Sequence, residues 1–413
     1  MPALTAPSIV SVIGALIADE LNRLPNQSAQ YDPHYLTGRQ WSADTIITTE
    51  NKARGQGDEI ILDSFDWMSV AGRVVEFFQL HSSGLEDYLL RASTLGEWAE
   101  VIMASREQAS QDIRFSSSGS TGKPKKLTHS FTALVSEAEF FAELIQQQGL
   151  HPKRFISVVP AHHIYGFIFS ILLPQQLGVK VVRGLRAFTL TQGQQLQPYD
   201  AVIGFPGWYQ QLAQRRVTFP EHTFAINSAG PASQNVLETL QNQGLEAVLE
   251  VYGSSETAGL GYRMQRNGWY QLLPRWQRYT EQQLLDTDSN QHVALPDKVE
   301  WRDESCFKPL KRVDQAVQVN GHNVYPLRVA RIIEQHPQIK SARVRLLSDS
   351  DQGLKALLVL EQGSEPKLTE PLLAELPGWL SVKLQSYEIP KRFSVADQVP
   401  VNEIGKEQDW DVE

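Results

Sequence analysis

The sequence predicts an α/β protein in two parts: a large N-terminal domain built on mainly parallel sheets, and a small α+β domain at the C-terminus. The length of 413 residues exceeds what one ordinary hydrophobic core accommodates, so two domains are expected. After Phe115, short β-rich runs alternate with helical stretches, an order that is typical of parallel sheets. The pattern changes again after about residue 311, where a second set of strands and helices begins.

The N-terminal region, up to about residue 110, shows a mixed pattern with helical stretches. An apolar run at 7–18 lacks a basic leader and continues directly into Asp19 and Glu20. A signal peptide has the opposite charge order, and the run is too short to span a bilayer. We therefore expect an amphipathic helix there, further helices at 68–80 and 85–104, and a cytoplasmic protein.

The alternating region supplies the parallel sheet of this prediction. Strands are predicted at 155–159, 179–182, 201–203, 224–226 and 247–251, with helices at 131–148 and 234–243. The C-terminal part is predicted to contain strands at 316–321, 341–347 and 356–360 and helices at 326–334 and 371–384. Ligands of parallel sheets bind outside the C-terminal ends of the strands, and the motifs that carry chemistry here follow predicted strands.

Composition and charge narrow the classes of function. Hydrophobic residues make up 41% and charged residues 21% of the chain, values typical of a soluble globular protein. The formal net charge of −9 disfavours a general nucleic-acid surface, so a polyanionic ligand has to be held by a local cationic site. The single cysteine, Cys306, excludes an internal disulfide and a cysteine-based zinc cluster, and we expect a buried structural thiol in a reducing compartment.

A loop rich in hydroxyls follows the predicted strand at 112–115. Residues 115–126 include two glycines and three lysines, and such a loop can wrap a polyphosphate with main-chain N–H groups, hydroxyls and ammonium groups. A Walker A motif needs four residues between its first glycine and the Gly-Lys pair. Only two residues separate Gly119 from Gly122, so the motif does not match. The remaining alternatives are a phosphate site and a solvated surface loop.

A second glycine-bearing loop follows the predicted strand at 247–251. Tyr252 offers a flat ring for stacking, and Glu256 offers a hard oxygen ligand suited to Mg²⁺. Hydroxyl groups come from Ser254, Ser255 and Thr257. Taken alone, this loop would favour a tyrosine corner beside a solvated glutamate over a ligand site.

Together the two loops resemble the signatures of the adenylate-forming superfamily of acyl- and aryl-CoA synthetases, nonribosomal-peptide adenylation domains and luciferases. Residues 117–125 resemble its phosphate-binding signature Thr/Ser-Ser-Gly-Ser/Thr-Thr-Gly-x-Pro-Lys, and residues 252–256 resemble its Tyr-Gly-x-Ser/Thr-Glu signature. Residues 159–166 are similar to the Pro-x-x-His-x-x-Gly segment near the carboxylate pocket. Residues 227–231 are similar to the Ser-Ala-Gly turn that borders adenine and the acyl group. The resemblance extends from about residue 90 to the end of the chain.

The resemblance implies a reaction in two halves. A carboxylate attacks the α-phosphate of ATP and gives an acyl-adenylate and pyrophosphate, and a thiol then displaces AMP to give a thioester. It implies ATP and Mg²⁺ as cofactors and coenzyme A or the phosphopantetheine of an acyl carrier protein as the acceptor. Such chemistry depends mainly on positioning and charge neutralisation. Nucleic-acid binding and membrane insertion are not expected, and the oligomeric state stays open.

The resemblance also implies roles for individual residues. The residues that would bind the β- and γ-phosphates are Ser117, Ser118, Gly119, Ser120, Thr121, Gly122 and Lys125. Glu256 would bind Mg²⁺, Thr257 would bind the α-phosphate and Tyr252 would pack against adenine. Gly253 and Ser255 would make further contacts with the nucleotide. Asp297 lies fifteen residues before Arg312, the spacing of the family's ribose-binding pair, although a surface turn is the alternative for Asp297.

Two C-terminal elements complete the catalytic assignment. Residues 311–314 resemble the Gly-Arg-x-Asp hinge, which implies a large domain at 1–311, a mobile small domain at 315–413 and a hinge at 312–314 with Asp314 as its pivot. Residues 399–406 resemble the Leu-Pro-x-Thr-x-x-Gly-Lys element, whose lysine bonds the carboxylate and the α-phosphate. Lys406 is therefore the predicted catalytic lysine, beside Thr257 and Glu256; a cationic tail is the alternative.

The C-terminal motifs depart from the family pattern more than the nucleotide motifs do. Gln318 replaces the usual lysine of the Ile-Lys-x-x-Gly segment, and Asp409 and Trp410 stand where an arginine is usual after Gly-Lys. The helix start at 326–330 has lost its usual Pro-x-Glu-Ile-Glu pattern. The resemblance thus supports adenylation more strongly than thioester formation, and a non-catalytic relative that binds nucleotide or an acyl ligand as a regulator is the alternative.

The predicted acid is an aryl or medium acyl group. The stretch at 163–170 contains no acidic residue to pair with the ammonium group of an amino acid, and an unpaired buried charge is costly. His163, Phe205 and Gly230 are the predicted substrate contacts, and Phe167, Phe169, Trp208 and Gly204 could line the same slot. The short chain resembles compact ligases that load aryl or acyl starters onto carrier proteins, which suggests 4-hydroxybenzoate or a related acid by analogy.

Overall fold

The computed structural model describes residues 3–23, 36, 38–49, 58–117, 125–264, 268–313, 316–319, 322–347, 353–361, 369–400 and 409–410. Within them the α-helices are α1 Ala6–Arg23, α2 Ser64–Phe78, α3 Glu86–Leu89, α4 Leu95–Gln108, α5 Phe131–Gln147, α6 Ile164–Phe167, α7 Leu173–Leu177, α8 Gly184–Gln192, α9 Pro206–Gln214, α10 Gln234–Asn242, α11 Pro326–Ile333 and α12 Thr369–Ser381. A π-helical turn, Ile168–Leu172, joins α6 to α7, and a 3₁₀ turn, Leu80–Ser82, follows α2.

The strands are short and numerous. They are β1 Ile46–Thr49, β2 Glu59–Leu62, β3 Ile113–Ser117, β4 Lys125–His129, β5 Arg154–Ser157, β6 Lys180–Val182, β7 Asp200–Gly204, β8 Phe224–Asn227, β9 Ala247–Ser254, β10 Ala258–Arg263, β11 Tyr270–Leu272, β12 Trp276–Arg278, β13 Gln283–Asp286, β14 Gln291–Ala294, β15 Asp297–Trp301, β16 Cys306–Arg312, β17 Val317–Val319, β18 His322–Val324, β19 Ile339–Leu346, β20 Leu354–Leu360 and β21 Arg392–Val395. The predicted strands all coincide with one of these within a few residues.

The helix predictions hold with one exception. The apolar run at 7–18 lies in α1, which packs against α2 and α4. The single helix predicted at 85–104 is wrong, because two helices, α3 and α4, occupy that region. The break between them is set by Thr94, whose hydroxyl accepts from the Glu97 N–H while the Glu97 carboxylate accepts from the Thr94 N–H. This reciprocal capping box begins a new helix.

The central sheet of the described residues has nine strands in the order β15-β16-β11-β10-β9-β8-β7-β5-β6. The strands β6, β5, β7, β8 and β9 are parallel, as predicted. From β9 onward the sheet is antiparallel through β10, β11, β16 and β15, so the prediction of a mainly parallel sheet is wrong for this half. Their three- to seven-residue runs mix polar and apolar residues, and therefore give little periodic signal.

Both faces of the parallel strands are covered. Along these strands alternate residues point to opposite faces, so Phe155, Ala201 and Phe224 join one hydrophobic cluster. Their neighbours Ile156, Val202 and Ala225 join a second cluster on the other side. This two-sided burial is the usual environment of parallel strands, and it fixes the loops at their C-terminal ends on one edge.

A separate hairpin, β3–β4, carries the hydroxyl-rich loop. Its last residue pair is Ser117 opposite Lys125. Phe115 anchors it, because its buried ring packs edge-on against Phe77 at 5.3 Å and Phe167 at 5.7 Å. The predicted strand before the loop is confirmed.

The C-terminal residues form their own sheet and core. β19, β20 and β21 make a three-stranded sheet, and β17 pairs with β18 in a hairpin. The buried side chains of α11, α12 and this sheet form a third hydrophobic cluster, separate from the two of the larger region. Among the described helices, none is both long and apolar enough to cross a membrane. Cys306 is buried, as expected.

Candidate active site

The acidic loop is a tight turn between β9 and β10. The hydroxyls of Ser254 and Thr257 lie 3.0 Å apart, within hydrogen-bonding distance, and the Ser254 N–H donates to Thr257 Oγ1 at 3.3 Å. Thr257 is only 2% exposed and its hydroxyl also donates to the Ala258 carbonyl. The hydroxyl of Thr257 therefore stabilises the turn from inside, while Glu256 at its tip is exposed.

The structure brings the two predicted loops together. Lys125 Nζ, at the base of the hydroxyl-rich loop, lies 3.1 Å from Glu256 Oε1. The two side chains are 62% and 39% exposed, so the pair contributes little to stability. Because this ion pair is weak, Glu256 can exchange its partner for a cation and Lys125 can exchange its partner for an anion.

A second contact, missed by the sequence reasoning, supports the same approach. The His129 ring donates from Nε2 to the Ser255 carbonyl at 2.7 Å, across 126 residues of chain. Burial lowers the pKa of His129, so the ring is neutral at physiological pH and keeps this donor. β4 thus holds the acidic turn through both Lys125 and His129.

The predicted nucleoside-binding residues form one cluster. The Tyr252 hydroxyl donates to Asp297 Oδ2, and Asp297 lies opposite Arg312 in the β15–β16 register. Asp297 is 8% exposed on a strand, so its alternative as a surface turn is wrong. The ring of Tyr252 packs against Phe307 at 5.3 Å, and burial raises the pKa of the Tyr252 hydroxyl, which stays protonated.

The Ser-Ala-Gly turn after β8 is fixed by a buried charge pair. Asn227 Nδ2 donates to the Gly230 carbonyl and to Glu250 Oε1, each at 3.1 Å. The other oxygen of Glu250 accepts from Arg263 Nε at 2.6 Å. Gly230 has φ +131°, a conformation that side chains rarely allow. The sequence reasoning did not predict this role of Glu250. A single acidic residue inside the otherwise apolar strand β9 is the signal that could have indicated it.

The predicted substrate residues lie on adjoining loops. The Tyr165 hydroxyl donates to the carbonyls of Gly204 and Ile226, which ties the segment after His163 to the ends of β7 and β8. Pro206, next to Phe205, would lie 3.5 Å from a Cβ placed on Gly230.

The β17–β18 hairpin reaches the same loops. The His322 ring lies 5.7 Å from the His163 ring, and Gln318 Cγ would lie 3.9 Å from a Cβ on Gly230. A C-terminal element therefore borders the predicted acyl pocket.

Comparisons with known proteins agree with this geometry. Residues 113–294 match the family described as AMP-binding enzyme. The 4-coumarate–CoA ligase of Halorhodospira halophila is 35% identical over 361 residues, which cover 86% of this chain and 90% of that protein. The 4-coumarate–CoA ligase of Cereibacter sphaeroides is 33% identical, covering 86% of this chain and 84% of that protein.

The chain belongs to the AMP-binding enzyme family. Two solved structures share the fold of this family member. A malonyl-CoA ligase in a ternary product complex with methylmalonyl-CoA and AMP superposes with a TM-score of 0.57 at 18% identity, covering 70% of this chain and 71% of that one. The o-succinylbenzoate CoA synthetase of Bacillus subtilis superposes with a TM-score of 0.56 at 17% identity, covering 96% and 91%. The large α/β region is therefore the family's fold.

Several predicted residues of this AMP-binding family member lie outside the described residues. They are Ser118, Gly119, Ser120, Thr121 and Gly122 of the hydroxyl-rich loop, the hinge residue Asp314 and the catalytic lysine Lys406. Ser117 is described in its backbone alone. Their roles stay predictions.

The acidic turn fits a magnesium ion that arrives with a nucleotide. No group of three or more histidine, cysteine or acidic residues suited to a metal occurs in the part of the chain that the structure describes. Mg²⁺ does not need one, because it is commonly bound by one or two carboxylates and by substrate phosphates. Glu256, exposed and held by a weak ion pair, offers such an oxygen.

Acidification is expected to destabilise the protein through His129. Burial lowers the pKa of this ring from its ordinary 6.5, so the unfolded chain binds more protons than the folded chain as the pH falls. The contribution of His129 to stability is present above the unfolded pKa and is lost below it. Between pH 7.5 and 5.5, the free energy of unfolding in urea should fall more for the wild type than for His129→Gln, whose amide keeps a donor. Equal losses would contradict this.

Proposed function

We propose that the chain is an ATP-dependent acid–CoA ligase that activates an aryl carboxylic acid as an acyl-adenylate and transfers the acyl group to coenzyme A. The observation that carries the proposal is the meeting of the two loops at Lys125 and Glu256, 3.1 Å apart. A cation and an oxygen ligand at this point suit a triphosphate that carries Mg²⁺. The names of the relatives, 4-coumarate–CoA ligases, support an aryl acid and coenzyme A.

In this proposal, the residues bind and orient the reactants. The main-chain amides and hydroxyls of 117–122 and the ammonium of Lys125 hold the β- and γ-phosphates, and Asp297 and Arg312 hold the ribose hydroxyls. Magnesium, when bound at Glu256, neutralises charge on the phosphates. Tyr252 packs beside adenine, with Gly253 and Ser255 on the same turn. Lys406 donates to the carboxylate and the α-phosphate as negative charge develops there.

Two domain orientations are part of the proposal. We place the large domain at 1–311, the small mobile domain at 315–413 and the hinge at 312–314, with Asp314 as the pivot. The separate C-terminal hydrophobic cluster supports an independent body. The approach of His322 to His163 supports one orientation, in which the β17–β18 hairpin borders the acyl pocket.

The acid is proposed to be a 4-hydroxyaryl acid, such as 4-coumarate or 4-hydroxybenzoate. Phe205 follows β7 directly and Gly230 lies in the turn after β8, and the Tyr165 hydroxyl bonds the carbonyls of Gly204 and Ile226 at the ends of these two strands. An aromatic ring at Phe205 and the absence of a side chain at Gly230 suit a planar substrate. His163 is placed near the carboxylate end.

The test is exchange of labelled pyrophosphate into ATP, measured over aryl, fatty, hydroxy and amino acids. We expect exchange that depends on aryl acids and is largest for 4-hydroxyaryl acids, followed by thioester formation with coenzyme A. Transfer to a phosphopantetheinylated carrier protein in place of coenzyme A would correct the acceptor. A folded protein that binds ATP but shows no exchange with any acid would instead be a regulator.

A further inference from the structure

A buried carboxylate lies directly behind the acidic turn. Glu137, on α5, is 4% exposed, and its two oxygens lie 3.2 and 3.0 Å from the main-chain nitrogen of Gly259. Gly259 is the second residue of β10, three residues after Glu256. Burying a carboxylate is unfavourable unless it is hydrogen-bonded. The Gly259 N–H supplies that bond here.

The contact between α5 and β10 leaves no room for a side chain. A Cβ on Gly259 would lie 2.4 Å from Glu137 Oε1. On its other side, the Gly259 carbonyl accepts from Trp276 Nε1 at 2.7 Å. The N–H and the carbonyl of Gly259 are therefore both hydrogen-bonded to side chains, one from α5 and one from β12.

One charged side chain, that of Arg275, influences Glu137. The guanidinium of Arg275 lies over the Trp276 ring at 4.6 Å and is paired with Asp286 at 2.7 Å. Burial raises the pKa of Glu137 to about 7, against the opposing effects of the Gly259 N–H and Arg275. The carboxylate is thus ionised above neutral pH and protonated below it.

The segments that follow the hydroxyl-rich loop contact the acidic turn and the start of β10 at three successive points. β4 and α5 follow that loop in sequence, and they contact the turn through Lys125 to Glu256, His129 to the Ser255 carbonyl, and Glu137 to the Gly259 N–H. The first contact is exposed and exchangeable. The half-buried contact at His129 and the buried contact at Glu137 set the position of the turn relative to β4 and α5.

We propose that Glu137 is a positioning residue, whose carboxylate fixes the start of β10 so that the acidic turn presents Glu256 to a magnesium-bound nucleotide. The proposal rests on the proposed function for the identity of that ligand. Glu137 touches neither nucleotide nor metal, and acts through Gly259. Its removal should weaken binding of Mg·ATP more than binding of metal-free ATP.

The test compares Glu137→Gln and Glu137→Leu with the wild type by titration calorimetry, using Mg·ATP and then ATP in the presence of a chelator. By analogy with residues that support metal ligands, we expect Glu137→Leu to raise the Kd of Mg·ATP by about tenfold and to change that of metal-free ATP little. Glu137→Gln keeps the size of the side chain and removes its charge, so it replaces Glu137→Leu in the same measurement if the leucine variant does not fold. Glu388→Gln is the matched control, since Glu388 is a buried glutamate of the C-terminal region and is paired with Arg328.

The pH dependence separates positioning from a purely structural role. Wild-type binding of Mg·ATP should tighten as the pH rises through about 7 and the Glu137 carboxylate ionises, whereas Glu137→Gln should lack this change. Equal weakening of Mg·ATP and metal-free ATP in both variants, or wild-type affinity and pH dependence in Glu137→Gln, would overturn the proposal. These are binding measurements, so they test the role of Glu137 even if no acid supports pyrophosphate exchange. Absence of exchange would count against the proposed function alone.

Discussion

Replacement of Lys406 with alanine is expected to slow acyl-adenylate formation by about 10²–10³-fold, the usual cost of removing one donor from a site of developing negative charge. The position of Lys406 in the Gly-Lys element motivates this expectation. In the proposed mechanism, the lysine serves the first half-reaction, in which negative charge develops on the carboxylate and the α-phosphate. Transfer of a pre-formed acyl-adenylate to coenzyme A should therefore remain near the wild-type rate.

The two half-reactions can be measured separately. Pyrophosphate exchange reports adenylation, and single-turnover release of AMP from a synthetic acyl-adenylate with coenzyme A reports transfer. Lys383→Ala is a suitable control, because Lys383 is an exposed lysine of the C-terminal region that lies over the Trp379 ring at 4.0 Å. It should leave both rates unchanged. An equal loss of both half-reactions in Lys406→Ala would contradict the proposed role.

The substitution Glu256→Gln is expected to lower the rate of adenylation by about 10²-fold at limiting magnesium, because it removes a charged oxygen ligand from a site with few others. The amide has nearly the same size as the carboxylate, and the side chain is exposed, so folding should be unaffected. Raising the magnesium concentration should restore part of the rate. The dependence of pyrophosphate exchange on free Mg²⁺ measures both effects.

Glu246→Gln controls for the loss of an exposed ion pair. Glu246 is 44% exposed and lies 3.1 Å from His222 Nδ1. It precedes β9, at the opposite end of that strand from the acidic turn, and has no proposed role. Its amide variant should show the wild-type magnesium dependence. If Glu256→Gln also kept the wild-type dependence, Glu256 would not be the magnesium ligand.

The sequence predicts the parts of this structure that have a local signature. The parallel strands β5, β7, β8 and β9 contain short apolar runs, since both of their faces are largely buried. The two loops at 115–126 and 251–259 are also recognisable in the sequence, because each combines glycines, hydroxyl residues and charged residues in a short stretch. That the two loops lie close together, however, could be predicted only from the family resemblance.

The contacts that position the loops have no local signature. His129 meets Ser255 across 126 residues, and Glu137 meets Gly259 across 122 residues. Each side chain sits within an ordinary helix or strand pattern, and only the tertiary structure shows what it contacts. The bonds of the Thr257 hydroxyl within its own turn are likewise not visible in the sequence, and its predicted contact with the α-phosphate stays a prediction. Long-range partners of single polar residues cannot be read from periodicity.

A crystal structure with a non-hydrolysable ATP analogue and magnesium tests the central claim most directly. We expect the triphosphate between residues 117–125 and 252–257, the metal against Glu256 in place of Lys125, and the ribose hydroxyls at Asp297. A nucleotide bound elsewhere, or bound with Glu256 still paired to Lys125 and without a metal, would contradict this account.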